Sequence, residues 1–212
     1  MRFDIITIFP RFFDSFATES LFAKAQSKKI ISLRVHNLRD FTKDKHRTVD
    51  DRPYGGGAGM LMKVEPIVRA LKKIKKTNRP RVILLSPAGT QFTQKKAAGF
   101  AKKYDQLIFI CGRYEGVDSR IKHYIDETIS VGPYVLNGGE VAAMAVIESV
   151  FRLIPDALGN PKSLKEESWS SDTDKEYPQY TRPEVFDGHR VPKILLSGDH
   201  RKIAEWRTGR AR

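Results

Sequence analysis

The run QLIFICGRYEGVD, residues 106–118, starts as an unbroken apolar stretch from Leu107 to Cys111 and then turns polar around two glycines. An apolar run that short reads as a strand buried on both faces, the kind found in parallel sheets. Residues 3–9, 31–37, 81–85 and 127–131 have the same character. Between them, apolar residues recur every three to four positions in 11–28, 64–76, 93–103, 117–124 and 139–154, which predicts helices. Strands alternating with helices predict an α/β fold with a mostly parallel sheet covered on both faces. Ligands of such sheets bind beyond the carboxyl ends of the strands. Three glycine-bearing loops fall there: SPAGT (86–90), CGRYEGVD (111–118) and VGPYVLNGGE (131–140), so a pocket is expected where they converge.

With 212 residues, 40% of them hydrophobic, the chain can bury a substantial core. The net charge of +13 is uneven. Residues 63–81 hold eight lysines and arginines against the single acid Glu65, and Lys95, Lys96, Lys102 and Lys103 form a second cluster. A surface this basic favours a polyanion such as nucleic acid as partner. The longest apolar run near the middle, 141–147, is far short of a membrane span, and the N-terminus lacks the pattern of a signal peptide. One cysteine, Cys111, fits a reducing cytoplasm. Near Asn160 the chain turns polar. The expected division is a sheet domain over 1–160, a flexible linker over 161–176 and a small, mainly helical domain over 177–212. That last domain carries a helix over 199–206, capped by Ser197 or Asp199.

The stretch DDRPYGGGAGM, 50–60, packs four glycines into five positions. A Walker loop is excluded because Met60 and Leu61 follow Gly59 where Lys-Ser/Thr is needed, and the G-x-G-x-x-G fingerprint fails at Met60. The histidines are scattered and show no metal-ligand spacing. What remains is a loop of close approach flanked by Asp50, Asp51 and Arg52, suited to a base and its backbone, or a set of structural turns.

Five ordered motifs, HRTVDDRPYGGGAGMLM, LLSPAG, CGRYEGVD, PYVLNGGE and YTRPEV…VPKILLSGDH, closely resemble the bacterial tRNA (guanine-N1)-methyltransferase family across nearly the whole chain. The resemblance implies a homodimer with a shared active site and a deep trefoil knot in the α/β domain, the knot loops holding S-adenosylmethionine. By motif match, the donor contacts are Leu85, Ser86 and Pro87, then Gly112, Tyr114 and Glu115, then Val131, Gly132, Pro133, Tyr134, Val135, Leu136, Gly138 and Gly139. The implied reaction is methyl transfer to N1 of the guanosine just 3′ of the tRNA anticodon, position 37. His46, Arg47, Asp50, Arg52 and Gly57 would meet that substrate, the glycines giving clearance for a flipped base.

N1 of guanine carries a proton, so a positioned general base should contribute about 10²–10⁴-fold. The family places an aspartate in the interdomain segment; here the matching run SLKEESW puts Glu167 at that position, with Glu166, Asp172 and Asp174 as runners-up. Arg152 matches the arginine that stabilises charge on the base. The resemblance also raises magnesium as a candidate assisting ion, which the sequence does not decide. The sequence ends with IAEWRTGRAR, where family members usually continue, so the resemblance leaves the affinity for tRNA and the choice among tRNAs open. A knotted ribose 2′-O-methylase, or a non-catalytic RNA-binding relative, are the alternatives.

Overall fold

In the computed structural model, residues 1–158, 168 and 177–209 are described. The chain divides into two compact units, Met1–Gly159 and Asn160–Arg212. The expected linker, 161–176, lies outside the described residues apart from Ser168.

The first unit contains strands β1 (Arg2–Thr7), β2 (Ser32–Asn37), β3 (Asp50–Asp51), β4 (Leu61–Met62), β5 (Pro80–Gln91), β6 (Gln106–Cys111) and β7 (Glu127–Ser130). Its helices are α1 (Asp14–Thr18), α2 (Ser20–Ser27), α3 (Val64–Lys73), α4 (Gln94–Lys103) and α5 (Gly139–Phe151). Five strands form one sheet in the order β2-β1-β6-β5-β7, and every pairing is parallel. Side chains alternate across it: Phe3, Ile5, Ile83, Leu85, Leu107 and Phe109 face α2, α4 and α5. Val82, Leu84, Ile108 and Ile110 face α3 on the other side. All six residues of β6, the central strand, are buried.

Three expected elements change shape. The helix expected over 11–28 is broken at Glu19, which is extended (φ −111°, ψ 158°), and resumes at Ser20 with φ 61°. Apolar periodicity continues through that break, so it left no trace in the pattern. The helix expected over 117–124 is a 3₁₀ turn, Ser119–His123, opened by Asp118, whose side chain accepts from the Arg120 amide. SPAGT is an interruption inside β5: Leu85 and Thr90 both pair with Ile129, so residues 86–89 arch out of the sheet.

At the other end of the sheet Asp4, 1% exposed, accepts from Arg2 Nε at 2.7 Å and meets His36 Nε2 and Gln106 Nε2 at 2.8 Å each. Burial alone would raise its pKa; the bonds from His36, Gln106 and Arg2 outweigh it and hold the carboxyl below its usual 3.8. A depressed native pKa means the unfolded chain binds more protons in acid. Its contribution is therefore full above pH ~4 and lost as pH falls further. Urea midpoints followed from pH 6 to pH 3 should fall, and the fall should be shallower in Asp4→Asn.

In the second unit, β8 (Val185–Phe186) and β9 (His189–Arg190) form an antiparallel ribbon. Helices α6 (Lys193–Leu196) and α7 (His200–Thr208) follow. Asp199 caps α7, its carboxylate accepting from the Lys202 amide at 3.1 Å. The Trp206 ring lies 6.4 Å from that of Tyr180, and the Arg207 guanidinium 4.8 Å from the ring of Tyr177.

Candidate functional site

At the arch that interrupts β5 and past the carboxyl ends of β6 and β7 lies a cavity of about 490 Å³. The arch after Leu85 brings in Ser86 and Pro87, the turn after β6 brings in Gly112, Tyr114 and Glu115, and the connection from β7 to α5 brings in Val131, Tyr134, Val135, Leu136, Gly138 and Gly139. Of the expected donor contacts, Gly132 and Pro133 alone do not line it; Gly132 instead lies under the Tyr134 ring, where a Cβ would be 2.3 Å from Cε1. Its size is that of small-molecule sites in general. The lining mixes apolar side chains and backbone with polar groups: Glu115 is an exposed carboxylate on the β6 side, and Arg113 and Lys122 contribute cations. That combination accepts a flat heterocycle through backbone groups and a positively charged tail beside the carboxylate.

Close approach of the backbone shapes the cavity. Gly139 begins α5 and donates its amide to Gly112 O at 3.0 Å; a Cβ there would stand 2.7 Å from Cys111 Cα. The helix start is therefore pressed onto the end of β6. Cys111 itself is buried, and burial, then the Glu140 charge, push its thiol pKa well up, so it packs as a neutral thiol. Tyr114 is a non-glycine residue at φ 58°, a left-handed conformation costing about 1–2 kcal/mol. Such strain collects at functional sites, and here it holds an aromatic ring at the cavity lip.

The cavity rests on a buried ion pair absent from the sequence-derived expectations. Glu140 is fully buried; its Oε1 accepts from Thr7 Oγ1 at 2.6 Å and its Oε2 from Arg113 Nε at 2.9 Å. Arg113 Nη1 also donates to Asn137 O at 3.3 Å, and its guanidinium lies 4.6 Å and 5.1 Å from the Phe9 and Phe12 rings. Three separate segments, the ends of β1 and β6 and the start of α5, are tied together by these side chains. The signal in sequence was only a charge inside each of two glycine-rich motifs.

The glycine-rich stretch connects β3 to β4, whose two-residue ribbon pairs Asp50 with Met62. It is fastened to the cavity wall: Glu115 N donates to Met60 O at 3.0 Å, Met62 N to Gly116 O at 2.9 Å and Asp118 N to Met62 O at 3.0 Å. Gly59, at φ +81°, lies so close to Glu115 that a Cβ would be 2.4 Å from Oε1 and 2.6 Å from Cγ. Gly59→Ala should lower stability by about 1–2 kcal/mol from the left-handed backbone alone. It should also displace Glu115 and weaken binding in the cavity several-fold. Calorimetric titration with the cavity ligand beside a thermal melt checks this; an unchanged affinity would separate the loop from the cavity.

Asp50 is half-buried in the ribbon, whereas His46, Arg47, Arg52 and Gly57 are exposed; none of the five lines the cavity. Arg47 pairs with Asp40. Arg152 caps the far end of α5. Thirteen helical residues put it about 20 Å from Gly139, so one chain does not bring Arg152 to its own cavity. Glu167, Glu166, Asp172 and Asp174 lie outside the described residues. Among the described residues, no group of three His, Cys, Asp or Glu side chains could hold a metal ion, and no helix is long and apolar enough to cross a membrane.

A family model described as tRNA (guanine-1)-methyltransferase TrmD matches residues 1–212. The tRNA (guanine-N(1)-)-methyltransferase of Dictyoglomus turgidum is 55% identical over 207 residues, covering 98% of this chain and 83% of that protein. Proteins of the same name from Carboxydothermus hydrogenoformans and Clostridium tetani are 52% and 50% identical over 208 and 210 residues. They cover 98% and 99% of the chain, and 81% and 87% of their own lengths.

Proposed function

Because the chain belongs to the tRNA (guanine-1)-methyltransferase family, we propose that it methylates the guanosine immediately 3′ of the tRNA anticodon, position 37. Membership makes it an S-adenosylmethionine-dependent enzyme acting on guanine N1 in tRNA. The observation that carries the finer reading is the fastening of the glycine-rich ribbon to the cavity wall through Met60, Met62 and Gly116. A donor pocket and an open, glycine-rich loop for a flipped base, with Tyr54 fully exposed on it, then stand side by side.

The cavity fits the methyl donor: about 490 Å³, apolar walls at Leu85, Pro87 and Leu136, backbone groups at Gly112 and Gly138, and the Glu115 carboxylate for the cationic end. When bound, S-adenosylmethionine supplies an electrophilic methyl group on sulfonium sulfur. The chain's own residues do the rest. Glu167 takes the proton from guanine N1, making the nitrogen a nucleophile. Arg152 stabilises the negative charge that develops at O6. His46, Arg47 and Arg52 hold phosphates and set the strand's position.

The span of α5 supports a site shared by two chains, since the end that holds Arg152 is remote from the start that floors the cavity. Tyr134 and Val135, 55% and 84% exposed at the rim, are available for cover by a partner's linker segment carrying Glu167. The same reading includes a trefoil knot through the cavity loops, a tRNA-gripping C-terminal unit and a cytoplasmic location. Magnesium has no fitting cluster among the described residues and enters no step.

Digestion of methylated tRNA to nucleosides, followed by mass spectrometry, tests the reading. N1-methylguanosine is the expected product. A ribose 2′-O-methyl nucleoside would replace it with a ribose methylase, and tRNA binding without methylation would leave a non-catalytic relative.

A further inference from the structure

Most of the basic cluster of residues 63–81 lies outside the donor cavity and the glycine-rich ribbon. The last turn of α3 and the segment after it line a second cavity, about 750 Å³ in volume. Its floor is apolar, built by Leu71, Ile74 and Val82, while Lys72, Lys75 and Lys76 form one rim and Tyr124, 48% exposed, stands on the other. We propose that this groove binds a single-stranded segment of the tRNA substrate, its phosphates on the three lysines and a base on the Tyr124 ring. The inference rests on tRNA being the substrate.

Three observations favour RNA. The lysines are exposed, and none has a carboxylate partner among the described residues. Helix polarity explains only Lys72, which benefits from the C-terminal end of α3; Lys75 and Lys76 lie beyond the helix and gain nothing from it. The acid in the lining, Asp126, is already engaged, accepting from the Val82 amide at 2.6 Å with Arg81 Nη1 at 3.9 Å. The rim therefore presents uncompensated positive charge.

The second observation is the floor. Positive charge alone would suit any anion, but an apolar trough with an exposed aromatic ring beside a lysine rim is the combination used for single-stranded nucleic acid. There the bases stack and the backbone follows the charge, each stack contributing about 1–3 kcal/mol. The third is continuity. The groove adjoins the donor cavity: Leu84 lines the donor cavity and Val82 the groove, two residues or about 7 Å apart on β5. The 3₁₀ turn is shared likewise, with Ile121 and Lys122 on the donor side and His123 on the groove side. A strand leaving the donor site past this turn enters the groove directly.

The test is equilibrium binding of a fluorescently labelled tRNA transcript to the full chain across a salt series, for wild type, Lys72→Ala/Lys75→Ala/Lys76→Ala and the matching triple arginine variant. The alanine variant should bind tRNA about tenfold or more weaker at 0.15 M salt. Its slope of log K against log salt should be shallower by about 2–3, the loss of up to three phosphate contacts. Donor affinity should stay at the wild-type value, the melting temperature should fall by no more than the loss of Lys72 from the end of α3 entails, and the arginine variant should bind and melt like wild type. Tyr124→Ala should weaken binding several-fold while Tyr124→Phe does not, the mark of stacking. An alanine variant with unchanged affinity and slope, in an enzyme still forming N1-methylguanosine, overturns the groove and leaves the activity standing. A wild type that neither binds nor methylates tRNA overturns both.

Discussion

Truncation of Glu140 to alanine should lower the unfolding free energy by about 3–5 kcal/mol, the cost of leaving a buried charge without its partner. Arg113 is the charge left behind. Its side chain is 16% exposed, packed against the rings of Phe9 and Phe12, and its Nε loses the Glu140 acceptor. Thr7 Oγ1 loses its acceptor in the same step. The effect should not stay local, because the pair joins the turn after β6 to the start of α5, and both line the donor cavity. S-adenosylmethionine affinity should therefore fall by about tenfold or more, measured by titration calorimetry. Replacing both partners together, Arg113→Met with Glu140→Leu, should recover much of the stability, since a buried pair and a well-packed apolar pair differ little in net free energy. It should not recover the donor affinity, which needs the hydrogen bond from Arg113 to Asn137 O. A Glu140→Ala protein that unfolds in urea within 1 kcal/mol of wild type would show that the pair is not what holds the loops.

The second large effect is chemical. Glu167→Gln should slow single-turnover methyl transfer by about 10²–10⁴-fold while leaving donor and tRNA dissociation constants near wild type. The amide keeps the size and polarity of the side chain and removes only its ability to take a proton. Glu167→Asp should restore most of the rate, and Glu166→Gln, one residue away, should change it little. A Glu167→Gln rate within a few-fold of wild type would transfer the role to Glu166, Asp172 or Asp174.

Where packing dominates, the sequence was readable. The strand expected over 106–111 is β6 to the residue, because a strand buried on both faces is apolar except where, as at Gln106, a buried polar side chain is hydrogen-bonded. The helix expected over 93–103 is α4, Gln94–Lys103, with Thr93 just outside it as the cap that accepts from the Lys96 amide. Local backbone geometry was less visible. The arch of residues 86–89 looked like a loop after a strand, yet β5 resumes pairing at Thr90, because pairing the same Ile129 twice leaves no mark in composition. The β8–β9 ribbon went unforeseen, although Asp187 and Gly188, both at positive φ, are the residues a tight hairpin turn favours.

In the candidate site, glycines at strand ends located the cavity, and motif resemblance chose its residues. The supporting network was invisible for a different reason. Thr7 and Glu140 are 133 positions apart, and nothing periodic relates them. Arg152 shows the same limit in reverse: its place on a helix was foreseen, but not that the helix carries it about 20 Å from Gly139 at the cavity floor of its own chain.

The most direct measurement is methyl transfer from labelled S-adenosylmethionine to two tRNA transcripts that differ only in having guanosine or adenosine after the anticodon. The account predicts N1-methylguanosine at that position in the first transcript and no incorporation into the second. Equal incorporation into both, or none into either while donor and tRNA still bind, would contradict it.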